Sequence, residues 1–206
     1  MSFPDAAQVW DKRFRANPAL FGEQPNQWLA SHADKIASRS AVCCIADGQG
    51  RNGLYLAGLG HRVDVNDASS VAISQLNATA AQSAVPINAT VLDVAGWEPA
   101  PNTYDAVVAI FIQFANPQLR QQIFTNIARG LSRDGLLIIE GYGPRQLQYR
   151  TGGPGKLDHL YAADTIAHGF GQWPIIASRD CDITLTEGSG HSGQSHVVSA
   201  VLRKPT

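Results

Sequence analysis

Apolar runs of strand length recur along this chain, and segments long enough for helices separate them. The runs in "DAVVAIFI" and "GLLIIE" are apolar almost throughout, which is typical of strands that are buried on both faces. Strands that alternate with helices in this way predict a parallel sheet with helices on both sides. The predicted strands are Ala41–Ala46, Arg62–Asn66, Asn88–Leu92, Tyr104–Ile110 and Leu136–Glu140. The predicted helices lie near Leu54–Leu59, Ser70–Ser83 and Gln118–Leu131.

The C-terminal part of the chain has a different pattern. Apolar and polar residues alternate from Cys181 to Thr186, and a further apolar strand runs from Val197 to Leu202. Only "GSGHSGQ" lies between them, which leaves no room for a helix, so the two strands must be antiparallel. We therefore expect a doubly wound, Rossmann-like α/β sheet of seven strands, mostly parallel, that ends in an antiparallel hairpin.

The domain organisation predicted from the sequence is simple. We expect one domain over residues 1–206, with a helical N-terminal cap at 1–40 and the Rossmann-like core at 41–206. A chain of 206 residues is long enough for one sizeable core, and no linker-like segment divides it.

Composition and charge exclude several classes of protein. The formal net charge is −1, whereas domains that bind nucleic acid usually carry a basic excess. No apolar run approaches the roughly 20 residues that span a bilayer, and the N-terminus lacks the pattern of a secretory signal. With three cysteines, of which Cys43 and Cys44 are neighbours in a predicted strand, we expect neither a disulfide framework nor a metal site. The sequence therefore predicts a cytoplasmic protein with no membrane or nucleic-acid partner.

A glycine-rich loop follows the first predicted strand in "VCCIADGQGRN". Gly48 and Gly50 place bare backbone amides at the carboxyl edge of the sheet, where ligands of open α/β folds bind. Asp67 follows the second strand, where a carboxylate can accept both hydrogen bonds of a ribose diol. Asp93 follows the third, where it can accept a hydrogen bond from an adenine amine. These features predict a site for an adenosine-containing ligand.

The same glycines leave an alternative open. Gly48, Gly50 and Gly53 also match the dinucleotide pattern G-x-G-x-x-G, which would make the protein a nicotinamide-dependent oxidoreductase. Against this, the chain is too short for a separate substrate domain, and a terminal antiparallel hairpin is foreign to a six-stranded parallel dinucleotide fold.

Four motifs in order along the chain resemble the class I S-adenosylmethionine-dependent methyltransferases, and within them the small tellurite-resistance-type branch. They are the loop "ADGQGRN", "FGEQPNQWL", "YRTGGPGKLDHLY" and "GSGHSGQSHVV". Alanine stands at position 46, where the family's G-x-G-x-G loop has its first glycine. The resemblance implies the class I methyltransferase fold and S-adenosylmethionine as the cofactor. It implies these binding residues: Ala46, Asp47, Gly48, Gly50, Arg51, Asn52, Asp67, Ala68, Asp93, Val94 and Ile110.

Residues for the methyl acceptor are predicted from topology, because loops at the carboxyl edge converge on one mouth. His191 could orient the acceptor or take a proton from it, and Tyr142 and Arg145 could bind an anionic acceptor. Gln113 could position a ligand, and Arg150–Gly155 resembles a glycine-rich lid. Trp10, Arg13, Phe14 and Phe21 would close the cap over the cofactor. His159 and His168 are expected at surface or helix positions.

The sequence as a whole predicts methyl transfer to a small-molecule acceptor, with a thiol or a chalcogen oxyanion suggested by the resemblance. Besides the oxidoreductase, a non-catalytic protein that binds the cofactor and regulates a partner remains an alternative. The identity of the acceptor and the oligomeric state are not predicted.

Overall fold

The computed structural model describes residues 6–206, and its centre is a sheet of seven strands. Their order across the sheet is β3-β2-β1-β4-β5-β7-β6, and all neighbours are parallel except the pairs made by β7. The strands are β1 (Ala41–Ile45), β2 (Arg62–Asp67), β3 (Asn88–Val91), β4 (Tyr104–Ile110), β5 (Leu131–Tyr142), β6 (Ile175–Glu187) and β7 (His191–Arg203). The predicted class I methyltransferase fold is confirmed.

Helices connect the strands and cover the sheet. They are α1 (Ala6–Ala16), α2 (Gln27–Ala30), α3 (Arg51–Gly58), α4 (Ser70–Gln82), α5 (Pro117–Gly130), α6 (Gln146–Tyr149) and α7 (Ala163–Phe170). Short 3-10 helices occupy Ala33–Lys35, Val94–Gly96 and Leu157–His159. Asn side chains cap two of the α-helices: Asn26 accepts a hydrogen bond from Leu29 at the start of α2, and Asn116 from Leu119 at the start of α5.

The core has two layers, one on each face of the sheet, and neighbouring residues of a strand belong to opposite layers. Cys43 and Val107 pack in one layer, and Cys44 and Val108 in the other. Successive side chains of a strand point to opposite faces, so a strand covered on both sides must be apolar at every position. Both cysteines are buried, as predicted, and burial raises the pKa of the Cys43 thiol.

Three strands are longer than the sequence indicated. β5 begins at Leu131, which pairs with Tyr104 before an irregularity in the register, and Asp134 takes a left-handed conformation with φ of 61°. β6 and β7 each have 13 residues and pair along nearly their whole length. His191 is therefore the first residue of β7 rather than part of the hairpin loop.

The region before β1 contains α1, α2 and the first 3-10 helix, and residues 1–5 of the predicted cap lie outside the described part of the chain. The carboxylate of Asp11 fastens α1 to the N-terminal turn of α4. It accepts hydrogen bonds from Ser69 Oγ at 2.6 Å, Ser70 Oγ at 3.2 Å and the Val71 amide at 3.1 Å. In residues 6–206, no helix is both long and apolar enough to cross a membrane.

Candidate active site

A cavity of about 540 Å³ opens at the carboxyl edge of the sheet. It extends across the ends of β1, β2, β4 and β5 and the start of β7, and α1 covers it. β7 runs antiparallel to β5, so its first residue lies at the edge where the parallel strands end. The chain reverses its winding direction between β1 and β4 at this edge, which is where open α/β sheets bind ligands.

The glycine loop forms one wall of the cavity, and its backbone conformation explains its glycines. Gly48 has φ of 57° and Gly50 φ of 78°, in the left-handed region that favours glycine. A Cβ on Gly50 would lie 2.3 Å from a methyl carbon of Leu76, and one on Gly48 would lie 2.9 Å from the Phe14 ring. Ala46 is also left-handed, with φ of 48°, so the position where the family has glycine keeps the backbone conformation of glycine.

Asp47 joins this loop to the first turn of α3. Its carboxylate accepts hydrogen bonds from Asn52 Nδ2 at 2.7 Å and from the Gly53 amide at 2.8 Å. Burial raises the pKa of Asp47 to about 6, and these two hydrogen bonds oppose the shift. Asp47 therefore fixes the shape of the loop as well as lining the cavity.

The two acids predicted for the nucleoside lie in the same cavity. Asp67 Oδ2 accepts from the Gly48 amide at 2.9 Å, and Oδ1 accepts from the Ser69 amide at 2.8 Å. Burial raises the pKa of Asp67, while these hydrogen bonds oppose the shift. A carboxylate offers about four acceptor positions, so two remain for a diol. Asp93 Oδ1 accepts from the Ala95 amide at 2.9 Å, which leaves its second oxygen available.

The structure brings the predicted cofactor residues together almost completely. Gly50 is the one residue of that set that is not in the cavity wall, because it caps the start of α3 and packs on Leu76. The residues that do line the cavity are Ala46, Asp47, Gly48, Arg51, Asn52, Asp67, Ala68, Asp93, Val94 and Ile110.

Beyond the glycine loop, the cavity wall is largely aromatic. The His191 ring stacks on Phe21 at 4.4 Å and on Phe111 at 4.2 Å between ring centroids. Its Nδ1 lies 2.5 Å from the Tyr142 hydroxyl oxygen. Burial, with a smaller contribution from Arg51 and Arg13, lowers the pKa of His191 to about 3, so the ring is neutral at physiological pH. Its expected role as a proton acceptor near neutral pH is therefore disfavoured.

Arg145 does not reach the cavity, contrary to the expectation that it binds the acceptor. Its Nε lies 3.0 Å from Asp182 Oδ1, and the Arg145 side chain is 45% exposed. It sits at the start of α6, where Asp182 and Asp180 of the adjacent strand β6 draw its guanidinium outward.

Gln113 lines the cavity, but the backbone of Tyr142 already uses both ends of its amide. Gln113 Nε2 donates to the Tyr142 carbonyl at 2.7 Å, and Gln113 Oε1 accepts from the Tyr142 amide at 2.5 Å. The backbone carbonyl oxygen of Gln113, in turn, lies 3.1 Å from Nδ1 of His159. Gln113 thus ties the loop after β4 to the end of β5.

His159 is a cavity residue that the sequence did not reveal. It was expected at a surface or helix position, yet it ends a 3-10 helix, is 6% exposed and lines the cavity. Phe111 was also missed as a site residue. Its left-handed backbone, with φ of 54°, has no signal in the sequence.

The predicted cap and lid both contribute to the wall. Trp10, Arg13, Phe14 and Phe21 all line the cavity, and the Arg13 guanidinium lies 4.5 Å from the centre of a Trp10 ring. In the segment expected to form a lid, Gly152–Gly155 lines the cavity, and Thr151 Oγ1 donates to the Gln194 carbonyl at 2.6 Å.

A buried polar network supports the cavity from behind. Arg51 Nη2 lies 2.6 Å from Glu187 Oε2, and Asn26 Nδ2 donates to both Glu187, at 3.0 Å, and Glu140, at 2.7 Å. The Asn26 amide donates to Asn52 Oδ1 at 2.9 Å. The network therefore joins the N-terminal region, the helix after the glycine loop and strands β5 and β6.

Comparison with solved structures places this chain in a well-populated class. A protein described by the conversion of a disulfide bond into a thioacetal group during echinomycin biosynthesis has a TM-score of 0.76 and 19% identity, covering 97% of this chain and 91% of its own. TehB from Haemophilus influenzae has a TM-score of 0.74 and 20% identity, and the match covers 95% of this chain and 67% of the TehB chain.

A third structure was solved with S-adenosylhomocysteine. Phospholethanolamine N-methyltransferase 2 of Haemonchus contortus, in complex with phosphomonomethylethanolamine and S-adenosylhomocysteine, has a TM-score of 0.71 and 16% identity, covering 98% and 59%. At these identities the structures establish the fold, which is that of the class I methyltransferases. Comparison with curated proteins gave no match.

The sequence itself identifies the class of enzyme. Residues 42–135 match the family described as methyltransferase domain. That segment contains the glycine loop, which is one of the four motifs of the resemblance, together with Asp67 and Asp93; the other three motifs lie outside it. The predicted S-adenosylmethionine-dependent methyltransferase, with S-adenosylmethionine as its cofactor, is confirmed.

Proposed function

We propose that the protein transfers the methyl group of S-adenosylmethionine to a small-molecule acceptor, and that the acceptor is a thiol or a chalcogen oxyanion. One observation carries the proposal: the predicted nucleoside residues and a separate wall of aromatic and histidine side chains line the same cavity. A site for the methyl donor thus adjoins a site of different chemistry for the acceptor.

The residues present fit the methyl donor. Two carboxylates on adjacent strands, Asp67 and Asp93, each keep free acceptor positions for the ribose and the adenine. A Cβ at position 48 would meet the Phe14 ring, so glycine at this position lets α1 approach the loop closely beside the cavity, while the Gly48 amide itself is bonded to Asp67. When bound, S-adenosylmethionine supplies a methyl group on a positively charged sulfur.

The remaining wall favours a small acceptor. Phe21, Phe111 and the ring of His191 enclose this part of the cavity. Gly152–Gly155 and α1 limit the entry of water. In-line methyl transfer requires mainly alignment and exclusion of water, which such an enclosure provides. A cavity of about 540 Å³ is within the usual range for a small ligand and leaves little room for a polymer.

Sulfur or a related chalcogen is the acceptor chemistry that we infer. The resemblance to the tellurite-resistance-type branch supports a chalcogen, as does the similarity of the fold to TehB. The neighbour described by the conversion of a disulfide into a thioacetal acts in sulfur chemistry. We further propose a cytoplasmic location and no nucleic-acid or membrane partner, in line with the net charge of −1.

Two measurements test the proposal. Titration calorimetry with S-adenosylhomocysteine, S-adenosylmethionine and NAD should give binding of the first two and none of NAD; tighter binding of NAD would favour the oxidoreductase. Transfer of a radiolabelled methyl group should then be measured with 2-mercaptoethanol, 4-nitrothiophenol, selenite and tellurite. Tight S-adenosylhomocysteine binding without transfer to any of them would contradict the proposed acceptor class and favour the non-catalytic regulator.

A further inference from the structure

Two buried histidines, His159 and His191, line the same cavity, and their hydrogen bonds assign opposite tautomers to them. Nδ1 of His159 lies 3.1 Å from the Gln113 carbonyl oxygen. A carbonyl oxygen can only accept a hydrogen bond, so Nδ1 must carry the proton. In the neutral ring, Nε2 of His159 is then unprotonated and able to accept a proton.

Within residues 6–206, the Nε2 edge of the His159 ring is free of hydrogen bonds. His159 is 6% exposed and belongs to the cavity wall. In the described part of the chain, His61 Nδ1 and Tyr161 OH are the buried side-chain polar atoms that lack a partner. Nε2 of His159 makes no hydrogen bond in this part of the chain and is not among these buried atoms, so it keeps contact with solvent and is available to a ligand.

In His191 the free ring nitrogen, Nε2, is a hydrogen-bond donor, whereas in His159 it is an acceptor. Its Nδ1 lies 2.5 Å from the Tyr142 hydroxyl, and burial raises the pKa of Tyr142, which keeps that hydroxyl protonated. Among residues 6–206, the Tyr142 hydroxyl has no acceptor other than Nδ1 of His191, so we assign the phenol as the donor and Nδ1 as the acceptor. The ring proton of neutral His191 therefore sits on Nε2, where it makes His191 a donor.

The hydrogen-bonded pair of Gln113 and Tyr142 holds both histidine rings in place. The side chain of Gln113 is hydrogen-bonded to the amide and carbonyl of Tyr142, while its own carbonyl holds His159. Tyr142 holds His191 through its hydroxyl. A double hydrogen bond between the loop after β4 and the end of β5 thus sets the orientation of both rings.

We propose that His159 is the general base of this enzyme and that the acceptor is a protic nucleophile, a thiol, whose proton His159 Nε2 removes. The inference rests on the proposed function, because it concerns the acceptor of the same site. The thiol gives its proton to Nε2, and its sulfur forms the new bond to the methyl carbon. The old carbon–sulfur bond breaks with its electron pair left on the donor sulfur, and the imidazolium returns the proton to water. His191 donates its Nε2–H to the acceptor and positions it.

The first test needs no turnover. Long-range ¹H–¹⁵N correlation spectra of the full chain at neutral pH distinguish the two tautomers of a histidine, and the His159→Asn and His191→Gln variants assign the signals. We expect His159 to be protonated on Nδ1 and His191 on Nε2. A spectrum in which His159 carries its proton on Nε2 would overturn the proposal, whatever the acceptor is.

The second test uses two thiols of different acidity. An alkyl thiol such as 2-mercaptoethanol is mostly protonated at pH 7, whereas 4-nitrothiophenol is ionised and needs no base. In His159→Asn, the Asn amide can still donate to the Gln113 carbonyl, but the base is gone. We expect kcat with 2-mercaptoethanol to fall about 100-fold and kcat with 4-nitrothiophenol to change less than about fivefold.

The outcomes separate this inference from the proposed function. Equal losses of kcat with both thiols, in a variant with unchanged S-adenosylhomocysteine affinity, would overturn the role of His159 as a base. If the unaltered enzyme methylates neither thiol, the proposed thiol acceptor fails, and so does a role for His159 in deprotonating it. His168→Asn, at an exposed position on α7, is the matched control and should leave both rates unchanged.

Discussion

Asp67 has two functions in the proposed site. It fixes the glycine loop through the Gly48 amide, and its remaining lone pairs face a cavity suited to a ribose. A carboxylate can hold both because each oxygen accepts more than one hydrogen bond. The residue proposed to bind the ribose is thus also part of the scaffold that shapes the loop.

Replacement of Asp67 should weaken cofactor binding more than it weakens the fold. We expect Asp67→Ala to raise the Kd for S-adenosylhomocysteine roughly tenfold or more, because a buried diol loses a charge-assisted acceptor. Titration calorimetry measures this change. Asp64→Asn, on the same strand but outside the cavity wall, should leave the Kd within about twofold; an unchanged Kd in folded Asp67→Ala would contradict the assignment.

His191 should affect turnover more than cofactor affinity. We expect His191→Leu to lower kcat about tenfold or more, since it removes a hydrogen-bond donor from the acceptor. His191→Gln, whose amide nitrogen can replace Nε2, should retain more activity. Steady-state kinetics and calorimetry together give the answer, and a loss of S-adenosylhomocysteine affinity with kcat intact would place His191 in the cofactor site instead.

The sequence located residues whose role follows from local spacing and missed those placed by distant contacts. Gly48 and Asp67 could be found because a strand, a loop and the end of the next strand have fixed positions in this kind of sheet. His159 could not, because its burial depends on Gln113, which is 46 residues away. Arg145 was assigned to the site because it follows β5, but acids on β6 attract it outward.

At the level of elements, the buried pair Arg51–Glu187 connects the start of α3 with the end of β6. Their side chains are 8% and 5% exposed, and Asn26 adds a hydrogen bond to Glu187. The sequence predicted Arg51 as a cofactor residue, but it gave no sign of the partner. Partners so far apart along the chain are set by the tertiary fold, and so are the extra lengths of β5, β6 and β7.

Removal of the charge of Glu187 should be costly. We expect Glu187→Gln to lower the free energy of unfolding by about 3 kcal/mol, because Arg51 remains buried without its counterion. Urea unfolding of the variant and the parent measures the difference.

The matched control is the exposed pair of Arg145 with Asp182, whose side chains are 45% and 34% exposed. Asp182→Asn should change the free energy of unfolding far less than Glu187→Gln does, because water screens the exposed pair. Similar losses in the two variants would show that burial of the Arg51–Glu187 pair does not determine its contribution.

At the level of the whole molecule, two buried groups of the cavity oppose each other in the pH dependence of stability. Burial lowers the pKa of His191 from 6.5 to about 3. Its contribution to the stability of the fold is therefore complete above pH 6.5 and is lost as the pH falls towards 3. Burial raises the pKa of Asp47 from 3.8 to about 6, so its contribution is present below 3.8 and is lost as the pH rises through 6. Between pH 4 and 6 the two slopes have opposite signs and nearly cancel.

Substitution of either group should reveal the pH dependence of stability that the other group contributes. Between pH 4.5 and 5.5, we expect the stability of His191→Gln to fall with rising pH more steeply than that of the parent, by about 1.4 kcal/mol per pH unit. Asp47→Asn should deviate by a similar amount in the opposite direction. Urea unfolding at the two pH values tests both, and variants whose stabilities run parallel to that of the parent would refute the opposing shifts.

The hydrogen bond between Asn26 and Glu187 joins residues 161 positions apart. On the ribosome, the N-terminal segment is made first, yet its polar partner on β6 emerges only when synthesis is nearly finished. Asn26 must therefore stay hydrated, or be shielded by other factors, through most of translation. Closure of the proposed methyl-donor pocket is consequently a late event in synthesis of the chain, and a nascent polypeptide stalled before β6 should not retain S-adenosylhomocysteine.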